Sequence, residues 1–363
     1  MKRWRLDLNP QIYCDLAKPP WRTINDVTMV PREGKLKSRK DATMRPFIFS
    51  APMDTVTGFD LAKRMIELNE TPVVSRAIPD EEYIRCLTDL QELESFFAVG
   101  LNGELDKFFA LLSEAENRAR RTIYVNVAID VAHGDMSRAH DAAALLKEHP
   151  NIADIMSGSI CTPDAAFRAI SAGCTHLRCG VGNGAVCTTR LMTGCGVPNL
   201  TAIYLIWQDL EQSPKFDFDP VIIADGGIKH PGCAAKYLAA GATAVMLGSV
   251  LSKTREAAGW QKLNTDPDRE QLIKKYRGQA SADFQKDHFG RINKCPEGVN
   301  TDAFYWDGKT YLDNIIEYYR GGMQSTLSYL GLTTIEELNP HHVQFAEITY
   351  SGYIEGTPHG ATS

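Results

Sequence analysis

Eight short apolar runs, separated by stretches of helical composition, constrain the fold of this chain more than any other feature. They are residues 47–53 (FIFSAPM), 71–75 (TPVVS), 95–100 (SFFAVG), 122–130 (TIYVNVAID), 153–158 (ADIMSG), 176–181 (HLRCGV), 221–227 (VIIADGG) and 244–249 (AVMLGS). Most are too short and too continuously apolar for surface helices. They suit strands of a parallel sheet buried on both faces. Helical composition marks residues 58–68, 137–148, 163–172 and 232–240, and glycines at 173 and 241 supply stop signals. Eight strands alternating with helices predict an α/β fold, a TIM (β/α)₈ barrel. An open doubly wound sheet is the alternative that the same pattern admits.

No Pro/Ser/Gly-rich linker and no repeat beyond the βα unit divides the 363 residues. The chain therefore reads as one barrel domain, 1–363, with a polar loop excursion at 253–313 and a C-terminal tail at 340–363. The net charge of −6 argues against an extended nucleic-acid surface, which needs a basic stripe. No apolar run reaches the roughly 18 residues of a membrane span. The first ten residues, MKRWRLDLNP, lack the apolar core of a signal peptide. Nine scattered cysteines, with no CxxC pair and no zinc spacing, read as reduced thiols of a cytoplasmic protein.

A TIM barrel carries its chemistry at the C-terminal ends of its strands. The sixth run leads into Gly180-Val181-Gly182-Asn183-Gly184-Ala185-Val186-Cys187-Thr188-Thr189-Arg190. Alternate glycines let a backbone approach a ligand or cation closely, and an accessible thiolate is a strong nucleophile. A buried structural cysteine in a tight turn is the competing reading. The seventh run ends in Asp225-Gly226-Gly227 and the eighth in Gly248-Ser249. Backbone amides there suit a phosphate, and Asp225 suits two ribose hydroxyls.

These segments resemble the IMP dehydrogenase/GMP reductase family over nearly the whole chain. The matching stretches are residues 50–58 (SAPMDTVTG), 130–134 (DVAHG), 180–190 (GVGNGAVCTTR), 223–227 (IADGG), 245–249 (VMLGS), 276–278 (YRG) and 297–298 (EG). The resemblance implies that Cys187 attacks C2 of a purine nucleoside monophosphate and forms a covalent adduct, with Thr189 and Glu297 handling protons. It implies that Asp225, Gly227, Gly248 and Ser249 hold ribose and phosphate, with Tyr276 near the phosphate. Gly278 and Gln279 lie near the base. Asp130, Ala132, Gly180 and Gly182 belong to the nicotinamide side. Backbone carbonyls of Gly182, Gly184 and Cys187 are implied to bind K⁺. A homotetramer is implied as well.

The two activities of that family share the adduct and differ in what leaves. A dehydrogenase must hydrolyse the adduct, which requires a base for water. In the dehydrogenases a flap supplies an adjacent Arg-Tyr pair. Residues 279–296 (QASADFQKDHFGRINKCP) contain none, and residues 280–286 look like the short-form GMP reductases, one residue longer. The chain also passes from Ser75 to Ser95 with no room for the regulatory CBS insertion of the dehydrogenases. The resemblance therefore points first to NADPH-dependent reductive deamination of GMP, or a related guanine nucleotide, to IMP. The alternative is an IMP dehydrogenase without the CBS domain, using NAD; residues 50–58, 296–299 and 352–360 are dehydrogenase-like. A non-catalytic nucleotide-binding protein is the third reading. Gln279 and Ser159 depart from both patterns, and Lys294 is a further candidate contact. His133, the pair His341-His342, residues 304–306 and 318–319, and the basic loop 35–40 read as ordinary loop or packing residues.

Overall fold

Each of the eight apolar runs forms a strand of one parallel sheet. The structure, a computed structural model, describes residues 17, 20–90, 93–101, 103–213, 216–263, 271–292 and 295–358. The strands are β1 (Ile48–Ser50), β2 (Val73–Val74), β3 (Phe96–Val99), β4 (Val125–Ile129), β5 (Ile152–Ile160), β6 (His176–Cys179), β7 (Val221–Asp225) and β8 (Ala244–Leu247). Their order is β1-β8-β7-β6-β5-β4-β3-β2. A parallel bridge between Phe49 and Thr71 joins the two ends and closes the cylinder. The barrel holds and the open sheet does not.

Alternation along the strands explains why the runs are apolar throughout. Phe96, Ala98, Ala244 and Met246 point into the barrel with Phe49, Ala128, Met156 and Ile223. Their neighbours Phe97, Val99, Val245 and Leu247 point outward into the layer shared with the helices. Both faces are dry, so no polar beat appears in the sequence. Helices α1 (Phe59–Glu67), α2 (Asp80–Asp89), α3 (Glu104–Ala119), α4 (Ser137–Lys147) and α5 (Pro163–Ser171) follow the first five strands. Helices α6 (Thr189–Thr193) and α7 (Asn199–Gln212) follow β6, and α8 (Pro231–Ala239) follows β7. The α5 start is set locally: the Thr162 hydroxyl accepts from the Ala165 amide, with Pro163 in the first turn. Between β2 and β3 the described residues form α2 and no other helix or strand.

The excursion is more regular than its polar sequence suggests. Gln261–Lys262, Leu272–Lys274 and Phe304–Tyr305 make a small antiparallel sheet, with α9 (Ala282–Phe289) between its second and third strands. These strands have two or three residues each and pair across long loops, so no local periodicity reveals them. Beyond it, α10 (Leu312–Leu330) completes the outer layer. In the tail, Phe345–Glu347 pairs with Val27–Met29, and α11 (Tyr350–Glu355) ends the described chain. The first ten residues, Lys294 and residues 359–363 lie outside the described residues. Among the described residues no helix is long and apolar enough to cross a membrane.

Candidate active site

The loops at the C-terminal ends of the strands enclose a cleft of about 660 Å³. Asp130, Ala132, Gly184, Cys187, Thr189, Asp225, Gly227, Gly248, Ser249, Tyr276, Gly278, Gln279 and Glu297 all line it. Gly180 and Gly182 do not. A Cβ on Gly180 would meet the Asp225 backbone oxygen at 2.3 Å, and one on Gly182 would meet the Arg190 side chain at 2.5 Å. These two glycines let the loop pack against β7 and Arg190 rather than face the cleft.

Cys187 is half-buried at the cleft wall. Its thiol donates to the Thr189 hydroxyl at 3.3 Å and lies 3.9 Å from the Glu297 backbone oxygen. The other described cysteines of the barrel wall are different. Burial pushes the thiols of Cys86 and Cys179 far up and that of Cys174 up to about 12. Such thiols stay protonated and inert, whereas Cys187 is open to a ligand. All eight described cysteines are free. Thr189 bonds the Cys187 thiol, and the Glu297 carboxylate has no hydrogen-bond partner among the described residues.

One side of the cleft is an ion-pair network that the sequence reading missed. Arg178 Nη1 donates to Asp130 at 2.9 Å, and its Nε lies 3.7 Å from Asp225. Arg76 donates from Nε to Asp130 at 3.2 Å and from Nη1 to both Glu104 oxygens at 2.6 and 2.7 Å. Burial alone would raise the Asp130 carboxyl, but Arg178 and Arg76 outweigh it and hold it below the ordinary range. Asp225 moves the other way: burial raises it, with Arg178 opposing. Ser159 of β5 accepts from Arg178 Nη2 at 3.1 Å. A signal for Arg178 did exist in the sequence. An arginine inside the run HLRCGV is a buried charge that must find carboxylates.

The other side is a strap made of residues 276–281 and 297–299. The Thr188 amide donates to Glu297 O at 2.9 Å, and the Val299 amide to Val186 O at 2.9 Å. Gly278 N donates to Val299 O at 3.1 Å and Glu297 N to Ala280 O at 3.1 Å. Gly298 bridges both Cys187 and Ser281. Arg277 ties the strap to Asp54, on the loop after β1, at 2.5 Å and to Asp287 of α9 at 2.5 Å. Gln279 Nε2 donates to the Pro52 carbonyl. The Gln279 oxygen has no partner among the described residues, and the side chain faces the cleft.

A profile of the IMP dehydrogenase / GMP reductase domain matches residues 23–359. The chain belongs to this family. Inosine-5′-monophosphate dehydrogenase of Aquifex aeolicus is 34% identical over 283 residues, covering 76% of this chain and 54% of that protein. The enzyme of the same name from Chlorobaculum tepidum is 35% identical over 242 residues, covering 64% of this chain and 47% of that protein. That from Streptococcus pyogenes is 35% identical over 243 residues, with the same coverages of 64% and 47%. The chain thus spans about half the length of the curated relatives it matches.

The remaining candidates read as structure. His133 is exposed and does not line the cleft. His341 packs against Trp207, and His342 bonds Asn339. No cluster of metal-ligating side chains occurs among the described residues. Phe304 packs on Trp260 and Trp306 on Tyr311, while Tyr318 meets Tyr319 edge-on. In the basic loop 35–40, Arg39 rests on Tyr329 of α10 and bonds Ser325.

Proposed function

We propose that this chain is an oxidoreductase that works on a purine nucleoside monophosphate bonded covalently to Cys187 during turnover. The observation that carries the reading is the Cys187 thiol, open in the cleft and bonded to Thr189, facing the glycines that end β7 and β8. In this reading Asp225 accepts from the ribose hydroxyls. The backbone amides of Gly227, Gly248 and Ser249, with Tyr276, hold the phosphate. Gly278 and Gln279 face the base.

Asp130 and Ala132 line the cofactor side. A carboxylate kept ionised by two arginines is a fit acceptor for the sugar hydroxyls of a nicotinamide dinucleotide. A nicotinamide cofactor held there would supply or accept the hydride at C2 of the purine. We leave Gly180 and Gly182 out of the cofactor set, because both turn away from the cleft.

Reductive deamination of GMP with NADPH is our leading assignment. The Cys187 thiolate adds to C2, and the bond from C2 to the exocyclic nitrogen breaks. Thr189 and Glu297 pass a proton to that nitrogen, which leaves as ammonia. Cys187 leaves as thiolate once hydride has replaced sulfur, and IMP is the product. Hydrolysis of the adduct would instead need a group that activates water, and residues 279–296 carry no adjacent Arg-Tyr. Much of that stretch is α9, whose Phe284 and Gln285 are buried. The names of the relatives favour a second reading, oxidation of IMP with NAD, in which Thr189 and Glu297 alone activate water.

The proposal extends to a cytoplasmic homotetramer and to K⁺ on the backbone carbonyls of Gly182, Gly184 and Cys187. Gly184 O accepts the Cys187 amide at 3.0 Å, which leaves one of its lone pairs for a cation. Purified protein with GMP and NADPH is expected to lose the absorbance of the reduced nicotinamide. No loss with any guanine nucleotide, together with NADH formation from IMP and NAD, would reverse the assignment.

A further inference from the structure

We infer that Gln279 selects guanine nucleotides over hypoxanthine and xanthine nucleotides by presenting a fixed hydrogen-bond acceptor to the base. This deepens the proposed function and rests on its sulfur–carbon bond at C2. The Gln279 backbone follows Gly278, which lies so close to the Cys187 loop that a Cβ there would meet Val186 O at 2.9 Å. The Gln279 side chain ends at the Pro52 carbonyl, on the loop after β1. A carbonyl oxygen can only accept, so the amide nitrogen must face Pro52. The amide oxygen therefore points elsewhere. It has no partner among the described residues and stays accessible from the cleft that the side chain lines. Glu297 sits beside it: the Glu297 amide donates to Ala280 O at 3.1 Å, and its carboxylate is also unengaged among the described residues. Tyr276, the third polar side chain of the strap in the cleft, donates its hydroxyl to Met53 Sδ at 3.4 Å.

Attack by Cys187 on C2 decides which edge of the purine meets this pair of acceptors. Cys187 Sγ lies 3.9 Å from Glu297 O, so the edge that carries C2 lies against the strap. In guanine that edge bears N1–H and the 2-amino group, three N–H hydrogens in all. In hypoxanthine it bears N1–H alone, and in xanthine a carbonyl oxygen stands at C2. Guanine satisfies Gln279 and Glu297 together. Hypoxanthine leaves one of them empty, and an acceptor covered by a ligand has lost its water without replacement. Xanthine sets its C2 oxygen against two acceptors, a repulsive contact. A neutral amide oxygen takes no proton at neutral pH, so Gln279 reads the base without competing with Glu297 for the proton that moves. The same preference holds a substrate with its 2-amino group more tightly than the IMP formed from it.

Cys187→Ser keeps binding non-covalent, so calorimetry reads the selection without turnover. The probes are GMP, IMP, XMP and purine riboside 5′-monophosphate, whose C2 edge carries no N–H. Cys187→Ser is expected to bind GMP at least about tenfold more tightly than IMP or XMP. Adding Gln279→Met, which keeps the length of the side chain and removes the acceptor, should weaken GMP about tenfold and bring it close to IMP. Purine riboside monophosphate should bind both proteins alike. A melting temperature near that of the parent shows that Gln279→Met has folded; if it has not, Gln279→Ala takes its place. If Gln279 acts only by bracing the strap on Pro52, all four nucleotides weaken together, and that outcome overturns the inference. So does GMP bound no more tightly than IMP by Cys187→Ser, or a GMP-to-IMP ratio that the Gln279 variant leaves unchanged. Turnover of GMP by wild type beside an unchanged ratio removes the inference alone and leaves the reductase reading. A ratio that collapses as expected, beside no turnover of GMP with any dinucleotide, sinks the reductase reading and leaves the selection by Gln279 in place.

Discussion

Asp130, Arg178 and Asp225 reach the cleft from barrel strands or just past them, whereas Tyr276, Gln279 and Glu297 reach it from a strap that belongs to no barrel strand. The two sides are held by different forces. On the strand side, charges are locked across β4, β6 and β7 by ion pairs in a dry setting. On the strap side, backbone hydrogen bonds stitch residues 278–281 and 297–299 to residues 186–188. A buried ion network tolerates little change, because any missing partner leaves a charge stranded. A strap can vary its side chains while its backbone pairing persists. Gln279, whose amide donates to the Pro52 carbonyl, sits on that side.

The largest effect should come from the strand side. Arg178→Met leaves Asp130 without its closest partner and Asp225 without its only nearby cation in this network, and should cost about 3–5 kcal/mol in urea unfolding at neutral pH. The pH dependence has a defined sign. Asp130 titrates lower when folded than when unfolded, so its stabilisation is complete above about pH 4 and fades as pH falls through the folded value. The gap between wild type and Arg178→Met should therefore narrow toward pH 3. A constant gap would mean that the ion pair is not its source.

Gly278→Ala tests the strap. A Cβ there would meet Val186 O at 2.9 Å, and the backbone must yield. We expect a smaller stability loss, about 1 kcal/mol, with the KM for purine nucleotide raised about tenfold as residues 278–279 shift. A stability loss as large as that of Arg178→Met, with KM unchanged, would erase the distinction between the two sides.

The smallest effect concerns Lys274, which anchors the strap from behind. Its ammonium donates to Thr55 O at 3.0 Å and Ala258 O at 2.9 Å, under the ring of Trp260. Burial lowers its pKa to about 7, with Asp54 opposing. Between that value and the unfolded value of about 10, the unfolded chain holds a proton that the folded chain has released. Stability should thus rise with pH through this window. Lys274→Met should flatten the rise when unfolding is compared at pH 7 and pH 9; an identical slope would contradict the assignment.

The same division governs what the sequence reveals. The loop of Cys187, the Asp225-Gly226-Gly227 turn and Gly248-Ser249 are legible because strand ends in a parallel barrel all open on one face. Asp130 is legible for the same reason, but its partners are not. Arg76 follows β2 and Glu104 opens α3 after β3, and only the side-by-side order of β2, β3 and β4 in the sheet brings them to Asp130. Thr189 and Glu297 both reach the cleft as the resemblance implies, yet Thr189 bonds the Cys187 thiol. The small sheet of the excursion pairs residues 261 with 273 and 274 with 304, separations that no periodicity records.

The central claim is a sulfur–carbon bond at Cys187, and rapid acid quenching followed by mass spectrometry reads it directly. Enzyme mixed with GMP should carry an added purine nucleotide lacking its exocyclic nitrogen, mapped to the peptide that contains Cys187. Cys187→Ser should show no such mass, lose about four orders of magnitude in turnover and still bind the nucleotide. An adduct on another residue, or full turnover by Cys187→Ser, would contradict the account.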